Sequence, residues 1–300
     1  MKKMAISGLL LILLVGVVLP AHVSVQAGAT INIASKGKPP WAGGPGGPEE
    51  EEGAATGVVS PPPESPENRW ALIIGIADYS GEENDLKYTD DDALELNKTL
   101  VEIYGYWVNH TMVLIDGAAT KSGILTAIAW LRDNETADDE VVFYYSGHGV
   151  RGVKWDSDKE RIDEGIVPAD FDETGYSVIW DGDLADEFSG FETTRFFIGF
   201  DTCYAGGFDD LAGSGRVICM SSKESQSSYE SNIWLNGEFT YYFVDQAMLN
   251  QVDLNGDGVA DADANEDGYI TVEEAFDYAK ANCQYDTPVI NDQLSDDMLL

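Results

Sequence analysis

Two runs in this chain, Val141–Tyr145 (VVFYY) and Phe196–Phe200 (FFIGF), carry no charged residue and no polar alternation. A strand with one wet face alternates polar and apolar positions. A continuous β-branched and aromatic run instead reads as a strand buried on both faces, as in a parallel sheet covered by helices. Trp70–Ile76 (WALIIGI), Thr111–Ile115 (TMVLI) and Arg216–Met220 read as three more strands. Helical patterns separate them. Leu86–Ile103 fits a helix with Leu94, Leu96, Leu100 and Ile103 on or near its buried side, and Thr120–Leu131 carries Ile124, Leu125, Ile128 and Leu131 in register. Strands alternating with helices imply βαβ units, so the expected class is α/β, with a mostly parallel central sheet flanked by helices.

Both buried runs end alike. VVFYY passes into SGHGV and FFIGF into DTCYAGG, which sets His148 and Cys203 at the carboxyl ends of two core strands, where open α/β sheets bind ligands. Gly147 and Gly149, with Gly206 and Gly207, are expected to clear space for a substrate lying against both side chains. A thiol is a poor nucleophile until it is deprotonated, and a neighbouring imidazole can take its proton and later protonate a leaving amine. The N–H groups of Gly149 and Cys203 would hold the oxyanion formed on an attacked carbonyl. His110, in YWVNHTMVL, has no such company and reads as structural or exposed.

The chain opens MKKMAISGLLLILLVGVVLPAHVSVQA, with a basic start, a short apolar core and an A-x-A-like end at Val25-Gln26-Ala27. Residues 1–27 are therefore expected to be a cleaved secretory signal peptide, which places the mature protein outside the cell or in its envelope. Residues 28–68 are rich in Gly, Pro and Glu and read as a linker or pro-segment. Residues 69–300 are one domain of ordinary size. The net charge of −37 argues against nucleic acid as partner and against anionic membrane once the signal is removed. It favours cations and basic peptides. Three cysteines (Cys203, Cys219, Cys283) leave at least one thiol unpaired. A Cys219–Cys283 bridge and two buried free thiols are the alternatives. Asn97, Asn109 and Asn134 lie in glycosylation sequons.

An ordered set of boxes carries a resemblance: RWALIIGIADY, LKYTDDDALELNKTL, YYSGHG, DEGIVPAD, DTCYAGG, GEFTYYF and a late DTPVI. They resemble the caspase-like superfamily of cysteine peptidases, its metacaspase and orthocaspase branch in particular, and imply a caspase-like α/β/α sandwich. His148 precedes Cys203 by 55 residues, in keeping with the caspase spacing. Asp201-Thr202 stands before the cysteine where true caspases have Gln-Ala. By resemblance the pocket for the residue before the scissile bond falls on Asp92, Ser146 and Asp201, and implies Arg or Lys there, held by charge-assisted contacts. Helix register selects Asp92 over Asp91. The resemblance also implies a second, regulatory calcium near Asp163, Asp181 and Asp210, with Gly182 standing at one family position.

Residues 253–274 read DLNGDGVADADANEDGYITVEE. The second half matches an EF-hand calcium loop, with Asp263, Asn265 and Asp267 at positions 1, 3 and 5, Gly268 at the turn, the Tyr269 carbonyl at 7, Thr271 at 9 and Glu274 at 12. The first half, Asp253, Asn255, Asp257 and Asp261, begins the same way but has Ala264 at position 12. It is either a degenerate half-site or shares ligands with its neighbour. The expected cofactor is Ca2+.

The expected function is an exported, calcium-modulated cysteine endopeptidase that cuts protein or peptide substrates after basic residues. The alternatives are a calcium-binding interaction module on an inert peptidase scaffold, or another thiol hydrolase or peptide ligase, which shares the same acyl-enzyme. The loop 151–161, with Arg151, Lys154, Lys159 and Arg161, is either an autoprocessing site or a solvated loop.

Overall fold

A computed structural model describes residues 22–25, 29–33, 53–153 and 162–300. The remainder of the expected signal peptide, residues 28 and 34–52 of the Gly/Pro/Glu-rich stretch and residues 154–161 of the basic loop lie outside the described residues. In chain order the strands are β1 (His22–Val25), β2 (Ala29–Ile33), β3 (Val59–Ser60), β4 (Arg69–Gly75), β5 (Thr111–Ile115), β6 (Glu140–Ser146), β7 (Gly149–Gly152) and β8 (Asp163–Ile166). They continue as β9 (Ile179–Trp180), β10 (Phe196–Asp201), β11 (Arg216–Met220), β12 (Glu230–Ser231), β13 (Asn236–Gly237), β14 (Val289–Asp292) and β15 (Asp297–Met298). The helices are α1 (Thr89–Glu102), α2 (Lys121–Asn134), α3 (Asp181–Phe188), α4 (Glu238–Thr240) and α5 (Val272–Asn282), and π-type turns over Tyr241–Leu249 prolong α4.

The central sheet has the order β14-β11-β10-β6-β4-β5. The four pairings among β11, β10, β6, β4 and β5 are parallel, and only β14 runs antiparallel, against β11. Strand β6 shows why its sequence is continuously apolar. Val141, Phe143 and Tyr145 enter one core with α2 and α3, while Val142 and Tyr144 enter the other with α1, α5 and the Tyr241–Leu249 segment. The expected α/β class with helices on both faces is the fold observed.

Helix α1 begins at Thr89, and its buried residues are Thr89, Asp92, Ala93, Leu96, Thr99 and Leu100. Leu94 and Ile103, expected near the core, are instead 47% and 42% exposed. The polar residues Thr89 and Asp92 hold the inward stripe because they serve the strand ends: Thr89 Oγ1 donates to the Ile76 carbonyl. Leu96 and Leu100 face the core as expected, so the inward stripe is shared between them and the polar Thr89, Asp92 and Thr99.

The boundary at residue 69 also needs correction. Ala54 and Ala55 N–H groups donate to the Asp277 carboxylate. Thr56 N, Thr56 Oγ1 and Gly57 N donate to Asp297, and β3 pairs in parallel with β15. Residues 53–60 are thus part of the domain, and β2 pairs antiparallel with β7 within the stretch expected to be a linker. Polar backbone, not apolar side chains, fixes this strap, so composition could not reveal it. Asp297 is fully buried. Asp297→Ala leaves several strap donors unpaired and should cost about 3 kcal/mol, read as a lower urea midpoint and faster amide exchange at residues 56–58.

Cys219 and Cys283 are free thiols, so the bridge between them is not formed. Burial pushes both of those thiols well above their ordinary range, which makes them poor nucleophiles. His110 is buried and stacks on Trp70, with ring centroids 3.9 Å apart, a structural role.

Candidate active site

Register brings the two chemical boxes together. On β6 and β10, Ser146 and Asp201 are direct partners, and His148 and Cys203 each lie two residues further along. Thr202 Oγ1 donates to the Gly147 carbonyl (2.8 Å) and ties the two turns to each other. His148 and Cys203 are both buried.

The imidazole is fixed from several sides. His148 Nε2 lies 2.7 Å from the Asn84 carbonyl oxygen. A carbonyl only accepts, so in the neutral ring Nε2 carries the proton and Nδ1 keeps the lone pair needed by a base. The Tyr79 hydroxyl accepts from His148 N (2.8 Å), and its ring lies 4.7 Å from the imidazole. The Tyr145 hydroxyl donates to the His148 carbonyl (2.8 Å). Cys203 Sγ sits 3.8 Å from the Ser228 carbonyl. The next residue, Tyr204, is left-handed (φ 63°), a conformation costing about 1–2 kcal/mol outside glycine. Its N–H donates to Gln226 O (2.8 Å), which holds the turn.

The glycines work differently from expectation. At Gly149 a Cβ would collide with the Cys203 carbonyl oxygen and meet Thr202 Oγ1 at 2.6 Å. At Gly147 it would meet the Tyr145 and Tyr79 hydroxyls at 2.5 and 2.6 Å, and at Gly207 it would collide with Glu164. They make room for the protein's own turns rather than for a ligand. Gly149→Ala should therefore push the two turns apart, costing about 1–3 kcal/mol of stability, as read by denaturant melts.

The acidic residues converge beside these turns. Ser146 Oγ donates to Asp92 Oδ2 (2.6 Å), and Gly237 N donates to Asp92 Oδ1 (2.9 Å). Asp201 Oδ2 accepts from Thr240 N (3.2 Å) and Thr240 Oγ1 (2.7 Å), while Ser228 Oγ donates to Asp201 Oδ1 (2.8 Å). Asp92, Ser146 and Asp201 are all fully buried. A side chain at residue 237 would collide with Asp201, which explains the glycine of GEFTYYF. Register, not side-chain chemistry, selects Asp92, since Asp91 is exposed. Sequence reasoning gave no role to Tyr79, Asn84, Ser228, Glu238, Thr240 or Asp286. Of these, Glu238, Thr240 and Asp286 sit inside the GEFTYYF and DTPVI boxes, which was the signal available.

The acidic tail forms two loops with one hydrogen-bond pattern. Asp263 Oδ2 accepts from Gly268 N (2.9 Å), Asn265 Oδ1 from Asp267 N (2.9 Å) and Asp267 Oδ1 from Tyr269 N (2.9 Å). Ten residues earlier Asp253, Asn255 and Asp257 accept likewise from Gly258, Asp257 and Val259. Gly258 and Gly268 both have positive φ. The loops diverge at the end. Glu274 accepts from Asn265 N and, as the partner in a capping box, from Thr271 at the start of α5, whereas Asp261 accepts from Leu254 N. Among the described residues no group of three or more His, Cys, Asp and Glu stands gathered for a metal ion. Asp163 and Asp181 are buried on β8 and α3, where Asp181 accepts from Glu164 N and Gly182 N.

His148 and Cys203 thus bring an imidazole and a thiol to adjoining strand ends of an α/β sandwich. Parts of this chain are similar to known metacaspases. The family model described as "Metacaspase, peptidase C14 domain" matches residues 69–212. Metacaspase-1 of Scheffersomyces stipitis is 34% identical over 115 residues, covering 36% of this chain and 28% of that protein. Metacaspase-1 of Pyricularia oryzae is 33% identical over 150 residues, 48% of this chain and 38% of the relative. Metacaspase-1A of Neurospora crassa is 34% identical over 153 residues, 48% and 33% of the two chains. This chain thus spans about a third of the length of the curated relatives it matches. The crystal structure of protein GSU0716 from Geobacter sulfurreducens shares the fold, with a TM-score of 0.53 over 75% of this chain and 92% of that one at 16% identity.

Proposed function

We propose that the domain is an exported cysteine endopeptidase that cleaves after Arg or Lys through Cys203 and His148, with Ca2+ bound by its acidic tail. The observation that carries this reading is the buried Asp92–Ser146–Asp201 set, held by register immediately beside the thiol and imidazole turns. A guanidinium or ammonium entering there would compensate buried carboxylates, and the bond after it would lie against Cys203. His148 Nδ1 takes the thiol proton, and Sγ attacks the carbonyl carbon. The oxyanion forms beside the N–H groups of Cys203 and Gly149, and the imidazolium gives its proton to the leaving amine. Water, deprotonated by His148, then hydrolyses the thioester and regenerates the thiol.

For calcium, the donor chemistry of the second loop fits. Asp263, Asn265, Asp267, the Tyr269 carbonyl, Thr271 and Glu274 give an all-oxygen set on a loop already turned at Gly268. Asp253, Asn255, Asp257 and Asp261 would be an accessory half-site. Bound Ca2+ would supply charge that relieves repulsion among these carboxylates, and the Tyr104 hydroxyl, donating to Ile270 O (2.8 Å), links the loop to the end of α1. Calcium at a hundredfold excess over its Kd should stabilise the fold by about 2.7 kcal/mol. Glu274→Gln keeps a capping-box residue at this position and so should remove the calcium-dependent part alone. A melting temperature that does not respond to calcium or chelator would rule this part out.

The deciding experiment is a peptide-library cleavage profile with and without calcium, with Cys203→Ala as control. Cleavage after Arg and Lys that is lost in the variant is the expected result. An unchanged profile in the variant would dismiss the dyad.

A further inference from the structure

Beside the predicted pocket, one hydroxyl serves two acids. Ser228 Oγ lies 2.8 Å from Asp201 Oδ1 and 3.0 Å from Asp286 Oδ2. A serine has a single proton to donate, and two carboxylates both require it. If both acids were ionised, one of these contacts would set lone pair against lone pair. Asp286 is also held with unusual care. Its Oδ1 accepts from Tyr229 N (3.0 Å), and its backbone N–H, with those of Gln284 and Tyr285, donates to the buried Glu238 carboxylate at 2.7–2.9 Å.

Resting on the reading that a basic side chain enters this pocket, we propose that Asp286 is a third acid of the pocket, sharing one proton with Asp201 across Ser228, and that the arriving cation displaces that proton. Tyr144 from β6 faces Asp201, Tyr229 before β12 faces Asp286, and Glu238 from α4 and Cys283 after α5 also reach the pair, while Asp92 from α1 and Cys203 after β10 lie against the same two tyrosines. These are acids, phenols and thiols. Four carboxylates in one buried network repel one another, and retaining a proton lowers that cost. When a substrate cation binds, the shared proton passes to solvent, so the charge of the pocket is unchanged by the exchange. Two acids flanking one hydroxyl also suit a planar guanidinium, with its fork of donors, better than a compact ammonium. The pocket should prefer Arg to Lys and bind either more weakly as pH falls.

The test is calorimetry on the full chain carrying Cys203→Ala, titrated with acetyl-Gly-Gly-Arg amide in two buffers of different ionisation enthalpy. The expected result is a buffer-dependent enthalpy that reports proton release and is absent when Asp286→Asn is added. With Cys203 restored, Asp286→Asn should lower the Arg-to-Lys ratio of kcat/KM about tenfold, the loss of roughly one charge-assisted hydrogen bond. Ser228→Ala, which removes the shared hydroxyl, should also abolish proton release and stands in if Asp286→Asn does not fold. Arginine binding without proton release, or release that survives both variants, overturns this inference and leaves the basic-pocket reading intact. Equal affinity for acetyl-Gly-Gly-Leu amide, with no cleavage of Arg reporters by the unmodified protein, overturns both.

Discussion

Cys203→Ala and His148→Ala should each lower cleavage of an Arg reporter on the order of a thousandfold or more, and the double variant should be no worse than either single one. The non-additivity follows from the chemistry. Without the imidazole the thiol stays protonated, and without the sulfur the imidazole has nothing to activate. Active-site titration with iodoacetamide separates the two roles, because His148→Ala retains the sulfur but should alkylate more slowly near neutral pH. Cys219 and Cys283 should contribute little to that signal, since burial raises both thiols. Cys203→Ala removes a single sulfur atom, so the variant should still fold. Independent, multiplicative losses in the double variant would mean that the two side chains do not act as a unit.

The second large effect is expected at Asp201. Asp201→Asn keeps the shape of the side chain but removes its charge and turns one of the two oxygens that accept from Ser228 and Thr240 into a donor. Losing one partner of a desolvated charge pair costs about 2–5 kcal/mol, so kcat/KM for Arg reporters should fall roughly 30- to several-thousandfold. Alkylation of Cys203 should be little altered, because Asp201 supports the pocket and not the imidazole. If alkylation and cleavage fall together, the carboxylate is holding the β10 turn and not recognising substrate.

The parallel core of this fold is written openly in its sequence, and parts of the site are not. VVFYY and FFIGF announce doubly buried strands because such runs have no other low-energy place. The antiparallel β14, with its half-buried Val289–Asp292, has only a mixed pattern and went unread. His148 and Cys203 stand out because each follows a core strand in a glycine-flanked box, and β6–β10 register sets them on adjoining strand ends. The group that orients His148 is a backbone carbonyl, that of Asn84, and a carbonyl has no residue signature. Asp286 and Glu238 were hidden for a different reason. In a chain with 54 Asp and Glu residues, one more acid carries no information until the fold shows which are buried. Leu94 shows the converse error, since leucine was taken to mean core where Asp92 had a stronger claim to the inward position.

The strap formed by residues 53–60 bears on how the protein can be cut. Asp277 and Asp297 belong to the last quarter of the chain, yet their acceptor oxygens are filled by backbone from the first quarter. Expression of residues 69–300 alone would uncover both acids and strip β15 of its partner, loosening the very end of the polypeptide. Nicking the segment between Ser60 and Arg69, by contrast, leaves every one of those bonds in place. A fragment severed there would stay attached, and its departure would report the health of the carboxyl terminus.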